Sequence, residues 1–337
     1  MRAIAYQTSQ EITSETALVD IEQPVPEPKG RDLLVEIKAV SVNPVDTKLR
    51  RNAAPAGGEW RVLGFDAAGI VKAVGPDVTL FKAGDAVFYA GAIDRPGTNS
   101  EFHLVDERIV GSKPASLDFA AAAALPLTAI TAWEMLFDRL KVRDAVPGAA
   151  NAILIIGGAG GVGSIAVQLA RTLTDLTVIA TASRPETADW VRSLGAHHVV
   201  DHSRPLAAEV AALGIGAPAF IFSTTNSVDH LAEIAEAIAP QGRFGLIDDP
   251  KALDVLPLKR KSVSTHWEMM FTRSLLQTSD MIEQHKLLNA VARLVDDGKI
   301  RTTLAEVVGP INAENLRKAH AMIESGRTRG KLVLDGF

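Results

Sequence analysis

Residues 158–163, Gly158-Ala159-Gly160-Gly161-Val162-Gly163, follow a fully apolar run, Ala152–Ile156, and open a helical pattern, Ser164–Thr172. Strand, glycines and helix in that order are what a dinucleotide pyrophosphate needs from a chain. Gly158 is expected to make the tight turn, Gly160 to let the backbone approach the phosphates, and Gly163 to let the helix pack on the strand. Gly161 and Val162 belong to the same loop, and the unpaired amides at the N-terminus of the helix it opens face the phosphate charge. Without its flanking elements the same run would be only a glycine-rich turn.

The end of the second strand, Thr177–Thr181, selects between dinucleotides. An enzyme using the unphosphorylated form places an acid there to bind the ribose hydroxyls. Here Ser183-Arg184 stands in that place. A hydroxyl and a forked guanidinium suit a 2′-phosphate, so the expected cofactor is NADPH. Asp175 precedes the strand and Glu186 points into the next helix. The plainer alternative leaves Arg184 as a solvated residue at a helix start. Thr224 and Thr225 end the fourth strand and Ile247 the fifth, and strand carboxyl ends in an open α/β sheet are where ligands bind. Their main chains are expected to line the nicotinamide, with loop capping as the alternative.

These positions require a particular scaffold. The first 115 or so residues read as short strands punctuated by Gly and Pro: Arg2–Tyr6, Leu33–Val42, Gly69–Val74, Ala86–Tyr89 and Glu101–Val105. From Leu125 the pattern changes to apolar strands alternating with helices, the sign of a parallel sheet covered on both faces. The tail returns to helices near Asp280–Asp296 and Ala313–Glu324 and a last strand at Lys331–Leu334. A chain of 337 residues favours two domains, and 47% hydrophobic with 22% charged residues describes an ordinary folded protein. A net charge of -5 gives no reason to expect nucleic acid or an anionic membrane. The longest apolar stretch, Phe119–Leu127, is too short to span a bilayer, so a cytoplasmic protein is expected. There are no cysteines, which removes disulfides and every thiolate-based metal site.

The run from Asn43-Pro44-Val45-Asp46 through Gly64-Phe65-Asp66-Ala67-Ala68-Gly69 and Gly84-Asp85-Ala86-Val87 to the glycine loop resembles the medium-chain dehydrogenase/reductase superfamily. The quinone oxidoreductase branch is the nearest likeness. The segment Ser264–Arg273 resembles a bacterial subgroup called zinc-type alcohol dehydrogenase-like proteins. The resemblance implies a doubly wound Rossmann domain, 127–263, inserted in a β-rich GroES-like domain made of 1–126 and 264–337. The superfamily's zinc enzymes hold their catalytic metal with a Cys where Asn43 stands, a His where Phe65 stands and a later Cys, and none of these is present. No metal site is therefore expected.

The resemblance further implies that Asn43 and Asp46 lie beside the nicotinamide, with Lys48 where many relatives carry Tyr. An Asn amide or a Lys ammonium could donate to a developing oxyanion. Equally, Asn43 and Asp46 could be a turn pair bonded to their own backbone, and Lys48 a surface lysine. Thr131 matches a threonine near the nicotinamide, or is a buried helix hydroxyl. His202 matches an aromatic that flanks the adenosine phosphate, or is a loop histidine. The function expected is zinc-independent hydride transfer from NADPH to a quinone, enone or related carbonyl compound in an apolar pocket between the domains, with a homodimer implied by the relatives. The alternatives are an alcohol or aldehyde dehydrogenase with an unusual zinc site and an NADPH-binding sensor without catalysis.

Overall fold

The apolar run at 150–156 ends in five consecutive buried residues. A strand of that kind must be covered on both faces, and here it is the interior of a six-stranded sheet. The computed structural model describes residues 1–337 and divides them into two units, Thr131–Met270 and Met1–Ile130 with Phe271–Phe337. In the first of these the strand order is His198–Val200, Thr177–Thr181, Ala150–Ile156, Pro218–Ser223, Arg243–Leu246, Ser264–Trp267, every neighbour parallel. Successive strands run outward in both directions from Ala150–Ile156. This doubly wound order puts a ligand crevice at the carboxyl ends, where the order reverses. Leu154, Ile156, Ile221, Phe244 and Leu246 of the sheet form one buried core with Leu231 and Ile234 of the helix Ser227–Ala237.

The domain limits differ from those read in the sequence. Ser264–Trp267 pairs with Arg243–Leu246, so the α/β unit runs to Met270 rather than 263 and begins at Thr131 rather than 127. Four residues with both ends exposed carry too little periodicity to announce a strand. The apolar stretch is also longer than expected. Helical turns continue from Phe119 to Arg139, 21 residues, and 83% of the most apolar window is buried inside the protein, the mark of a core helix.

In the other unit the strand Asp32–Val42 is central. It pairs antiparallel with Ala67–Val74, Phe102–Asp106 and the chain's last strand, Lys331–Asp335. Leu332 faces Val42 and Asp335 faces Ala39, so the strand entering from the C-terminus sets Lys331 beside Asn43. A separate three-stranded sheet holds Arg2–Tyr6 between Val19–Glu22 and Arg61–Val62. After Val42 the chain turns into a helix, Pro44–Asn52. Pro44 has the φ a first helical turn needs, Asn43 is the extended N-cap, and the Asp46 carboxylate accepts the Asn43 amide at 2.8 Å.

Candidate functional site

Around the glycine turn each glycine has its own reason. The left-handed φ of this turn is at Gly157, +78°, a glycine outside the 158–163 run, and a Cβ there would also lie 2.3 Å from Thr224 Oγ1. Gly158 is small because a Cβ would stand 2.8 Å from Ala180 Cβ on the adjacent strand. At Gly163 a Cβ would lie 2.2 Å from the Gly157 carbonyl, so the helix Gly161–Leu173 packs directly on the turn. Gly160 differs from these. Its φ of -70° suits any residue, and a Cβ there would meet nothing nearer than 3.5 Å. Protein packing does not require glycine at 160, whereas a diphosphate lying on the first-turn amides of Gly161, Val162 and Gly163 does. The residues present fit a dinucleotide.

The carboxyl ends of the neighbouring strands collect around this turn. The Gly157 amide donates to Thr181 Oγ1 at 3.0 Å, and His202 Nδ1 lies 3.1 Å from the same hydroxyl. Thr181 thus links His202 to the turn. Burial first, and His230 second, hold the His202 imidazole below its usual pKa. Thr224 donates its hydroxyl to the Ile156 carbonyl at 2.9 Å. Thr225 is exposed, Ile247 half-buried just past its strand, and Thr131 buried at the start of this unit. Ser183 is exposed at the end of the second strand, and Arg184 is the N-cap residue of the helix Pro185–Ser193. Glu186 is nearer than its sequence position suggests: its Oε1 lies 3.3 Å from Arg184 Nε. The position expected to select the cofactor therefore holds a guanidinium with a carboxylate at its side.

In the other unit, Asn43, Asp66 and Lys331 are all buried. The Lys331 ammonium donates to the Val42 carbonyl at 2.9 Å, to Asn43 Oδ1, and lies 3.1 Å from Asp66 Oδ2. Asn43 Nδ2 donates to Asp66 Oδ2 at 2.8 Å, and the Leu127 amide donates to Asp66 Oδ1 at 2.7 Å. Asp46 accepts from the amides of Asn43 and Gly64, at 2.8 and 3.0 Å. Burial pushes Asp46 up to about 7, with the Asn43 amide and Lys331 pulling back, and burial raises Asp66 against the pull of Lys331. The Asn43 amide is thus committed to its own protein, and Asp46 is a helix cap. The bond from the Asn43 backbone to Asp46 is of the turn-pair kind, whereas the Asn43 side chain is bonded to Asp66 and Lys331. Lys48, further along the same helix, is exposed.

Two groups here had no sequence signal. A lysine opening the apolar strand at 331–335 reads as an exposed strand end, and its pairing with Asn43 exists only through the sheet register. Glu268 follows the edge strand and is buried against Glu134. Burial and the Glu134 charge raise Glu268 well above the usual carboxylate range, opposed by Arg139 Nε at 2.8 Å. Within the segment His266–Phe271, Met270 and Phe271 are buried, whereas Trp267 and Met269 are exposed. Phe271 packs edge-on against Phe65 at 5.3 Å.

A zinc ion does not fit these donors. No group of three His, Cys, Asp or Glu side chains converges anywhere in the chain. At the Asn43–Phe65–Asp66 position one donor is an amide, one is a phenyl ring, and the carboxylate already faces an ammonium.

Comparison with known proteins places these features. The alcohol dehydrogenase GroES-like domain profile matches residues 29–115, and a zinc-binding dehydrogenase profile matches residues 194–334. A Rhizobium etli structure, provisionally named a zinc-dependent alcohol dehydrogenase, is 68% identical, with a TM-score of 0.99 over 100% of this chain and 98% of its own. A zinc-type alcohol dehydrogenase-like protein of Staphylococcus aureus is 39% identical over 99% of this chain and 100% of its own. A chloroplastic quinone-oxidoreductase homolog of Spinacia oleracea is 28% identical over 95% and 94%. With its doubly wound sheet, its glycine turn and its GroES-like strands, the chain belongs to the medium-chain dehydrogenase/reductase family of nicotinamide-dependent oxidoreductases.

Proposed function

We propose that the protein is a zinc-independent reductase that uses NADPH to reduce a quinone or an enone. The observation that carries this reading is the Lys331 ammonium closed onto Asn43 and Asp66 where zinc relatives hold their metal. Carbonyl activation then falls to the chain's own donors. The name of the spinach relative supports the quinone arm. An enone presents the same conjugated carbon–carbon double bond.

The first-turn amides of Gly161–Gly163 bind the pyrophosphate, and Ser183 with Arg184 binds the 2′-phosphate. The main chains at Thr224, Thr225 and Ile247 orient the nicotinamide, with Thr131 and His202 as further cofactor contacts. When bound, the dihydronicotinamide supplies a hydride. The Lys48 ammonium would stabilise the negative charge that develops on the acceptor's carbonyl oxygen. A proton from solvent then completes the reduction, so one NADPH and one proton are consumed per acceptor. Asn43 and Asp46 hold the start of the helix that carries Lys48. The protein works as a homodimer, and Trp267, 53% exposed on the edge strand of the parallel sheet, is an apolar surface suited to a second copy.

The test is oxidation of NADPH by a panel of quinones and enones in chelator-treated buffer, with metal analysis of the same sample. Turnover without metal is expected. Stoichiometric zinc that restores activity after chelation would refute the reading in favour of an alcohol dehydrogenase. Tight NADPH binding with no turnover on any acceptor would refute it in favour of a sensor.

A further inference from the structure

An ammonium has three hydrogens, and Lys331 has three acceptors: the Val42 carbonyl, Asn43 Oδ1 and Asp66 Oδ2. The network closes on the other side as well. Asp66 takes the Asn43 amide and the Leu127 amide, and the Asn43 backbone amide is taken by Asp46. Lysine 3% exposed and aspartate 0% exposed would each be expensive alone, so neither can leave without stranding the other. The bonds join the last strand of the chain to a loop 288 residues earlier, at the residue that caps the helix bearing Lys48.

We propose that Lys331 is a positioning residue for reduction, the resident cation that orients Asn43 and through it fixes the first turn of the helix Pro44–Asn52. It touches neither acceptor nor cofactor. The proposal rests on the reductase reading above for its kinetic consequence, but not for its structural one.

Lys331→Met alone leaves Asp66 buried and unpaired and is expected to be poorly stable. The informative protein is K331M/D66N, which removes both charges together. Its amide hydrogen exchange at residues 43–47 should rise by about tenfold, since the closed network no longer holds the loop. Its kcat should fall by about a hundredfold, as expected for a displaced donor, with the NADPH Kd unchanged because the glycine turn belongs to the other unit. Unchanged exchange and unchanged kcat in a folded double variant would overturn the proposal. So would failure of both variants to fold, because Lys331 would then be needed for the fold itself. If the unmodified protein reduces no acceptor, the reductase reading fails and the exchange result alone judges Lys331: faster exchange upholds it, and unchanged exchange refutes it.

Discussion

Replacing Gly160 with alanine separates what the glycine turn does for the fold from what it does for a ligand. The added Cβ would lie 3.5 Å from the Gly157 carbonyl, an ordinary van der Waals contact, on a backbone whose φ of -70° accepts any residue. Two small effects on stability oppose each other. Alanine is a poorer N-cap than glycine, and it restricts the unfolded chain, a gain of about 0.4–1 kcal/mol. The net change should stay within about 1 kcal/mol, a Tm shift of no more than about 4 °C. Binding should respond very differently. The methyl group would occupy the approach to the first-turn amides, and losing one charge-assisted hydrogen bond costs about 1.5–3 kcal/mol, or about 10- to 150-fold in Kd. Gly163→Ala is the control of opposite character. Its Cβ would fall 2.2 Å from backbone oxygen, so it should destabilise the protein by about 1–3 kcal/mol. Scanning calorimetry and titration calorimetry with NADPH read the two quantities on the same samples. A Gly160→Ala protein that keeps wild-type stability and wild-type NADPH affinity would refute the assignment of this turn as the pyrophosphate cradle.

Arg184→Ala should weaken NADPH by about 1.5–3 kcal/mol while leaving NADH nearly unchanged, and Glu186→Gln, which releases the neighbouring guanidinium, should tighten NADPH by about 0.2–1 kcal/mol. Equal effects on the two cofactors would remove both residues from the selector. Lys48→Met should lower kcat about 10- to 100-fold with little change in NADPH affinity, and an unaltered kcat would leave the helix Pro44–Asn52 without a catalytic donor. Acid should destabilise the unit that contains His103 and His320. Burial depresses these imidazoles to about 4 and about 3, so the unfolded chain binds protons that the native state refuses. The stabilisation is complete above the unfolded value near 6.5 and is lost as pH falls toward those native values. At pH 5 each histidine should cost about 2 kcal/mol relative to neutral pH. His320→Leu should flatten the measured dependence of Tm on pH, and an unchanged slope would refute the assignment.

Much of this protein is written in local sequence. The strand Thr177–Thr181 and the helix Ala313–Glu324 stand where periodicity puts them, because long apolar patterns of period two or 3.6 leave the chain few other ways to hide its side chains. The glycine turn was legible in part for a similar reason, since Gly163 is demanded by the Gly157 carbonyl within seven residues of chain. Yet the left-handed φ falls at Gly157, which the 158–163 spacing does not single out, and the crowding there comes from the Thr224 hydroxyl, brought over by the fourth strand.

What the sequence could not decide was which partners the buried polar residues would have. Asn43 looks the same in sequence whether its amide faces an acceptor or a carboxylate. Lys331 settles the matter, and it arrives through the register of a strand paired across almost the whole chain. The edge strand Ser264–Trp267 and the carboxyl pair Glu134–Glu268 were hidden for the same cause. A short half-exposed strand is defined by its neighbour, and a buried acid by whatever charge the fold sets against it. Sequence determined most of the elements and the position of the glycine turn, because these depend largely on contacts between residues close along the chain. Tertiary structure alone decided the electrostatic centre, because there the energy depends on groups that meet only after the last strand pairs with Asp32–Val42.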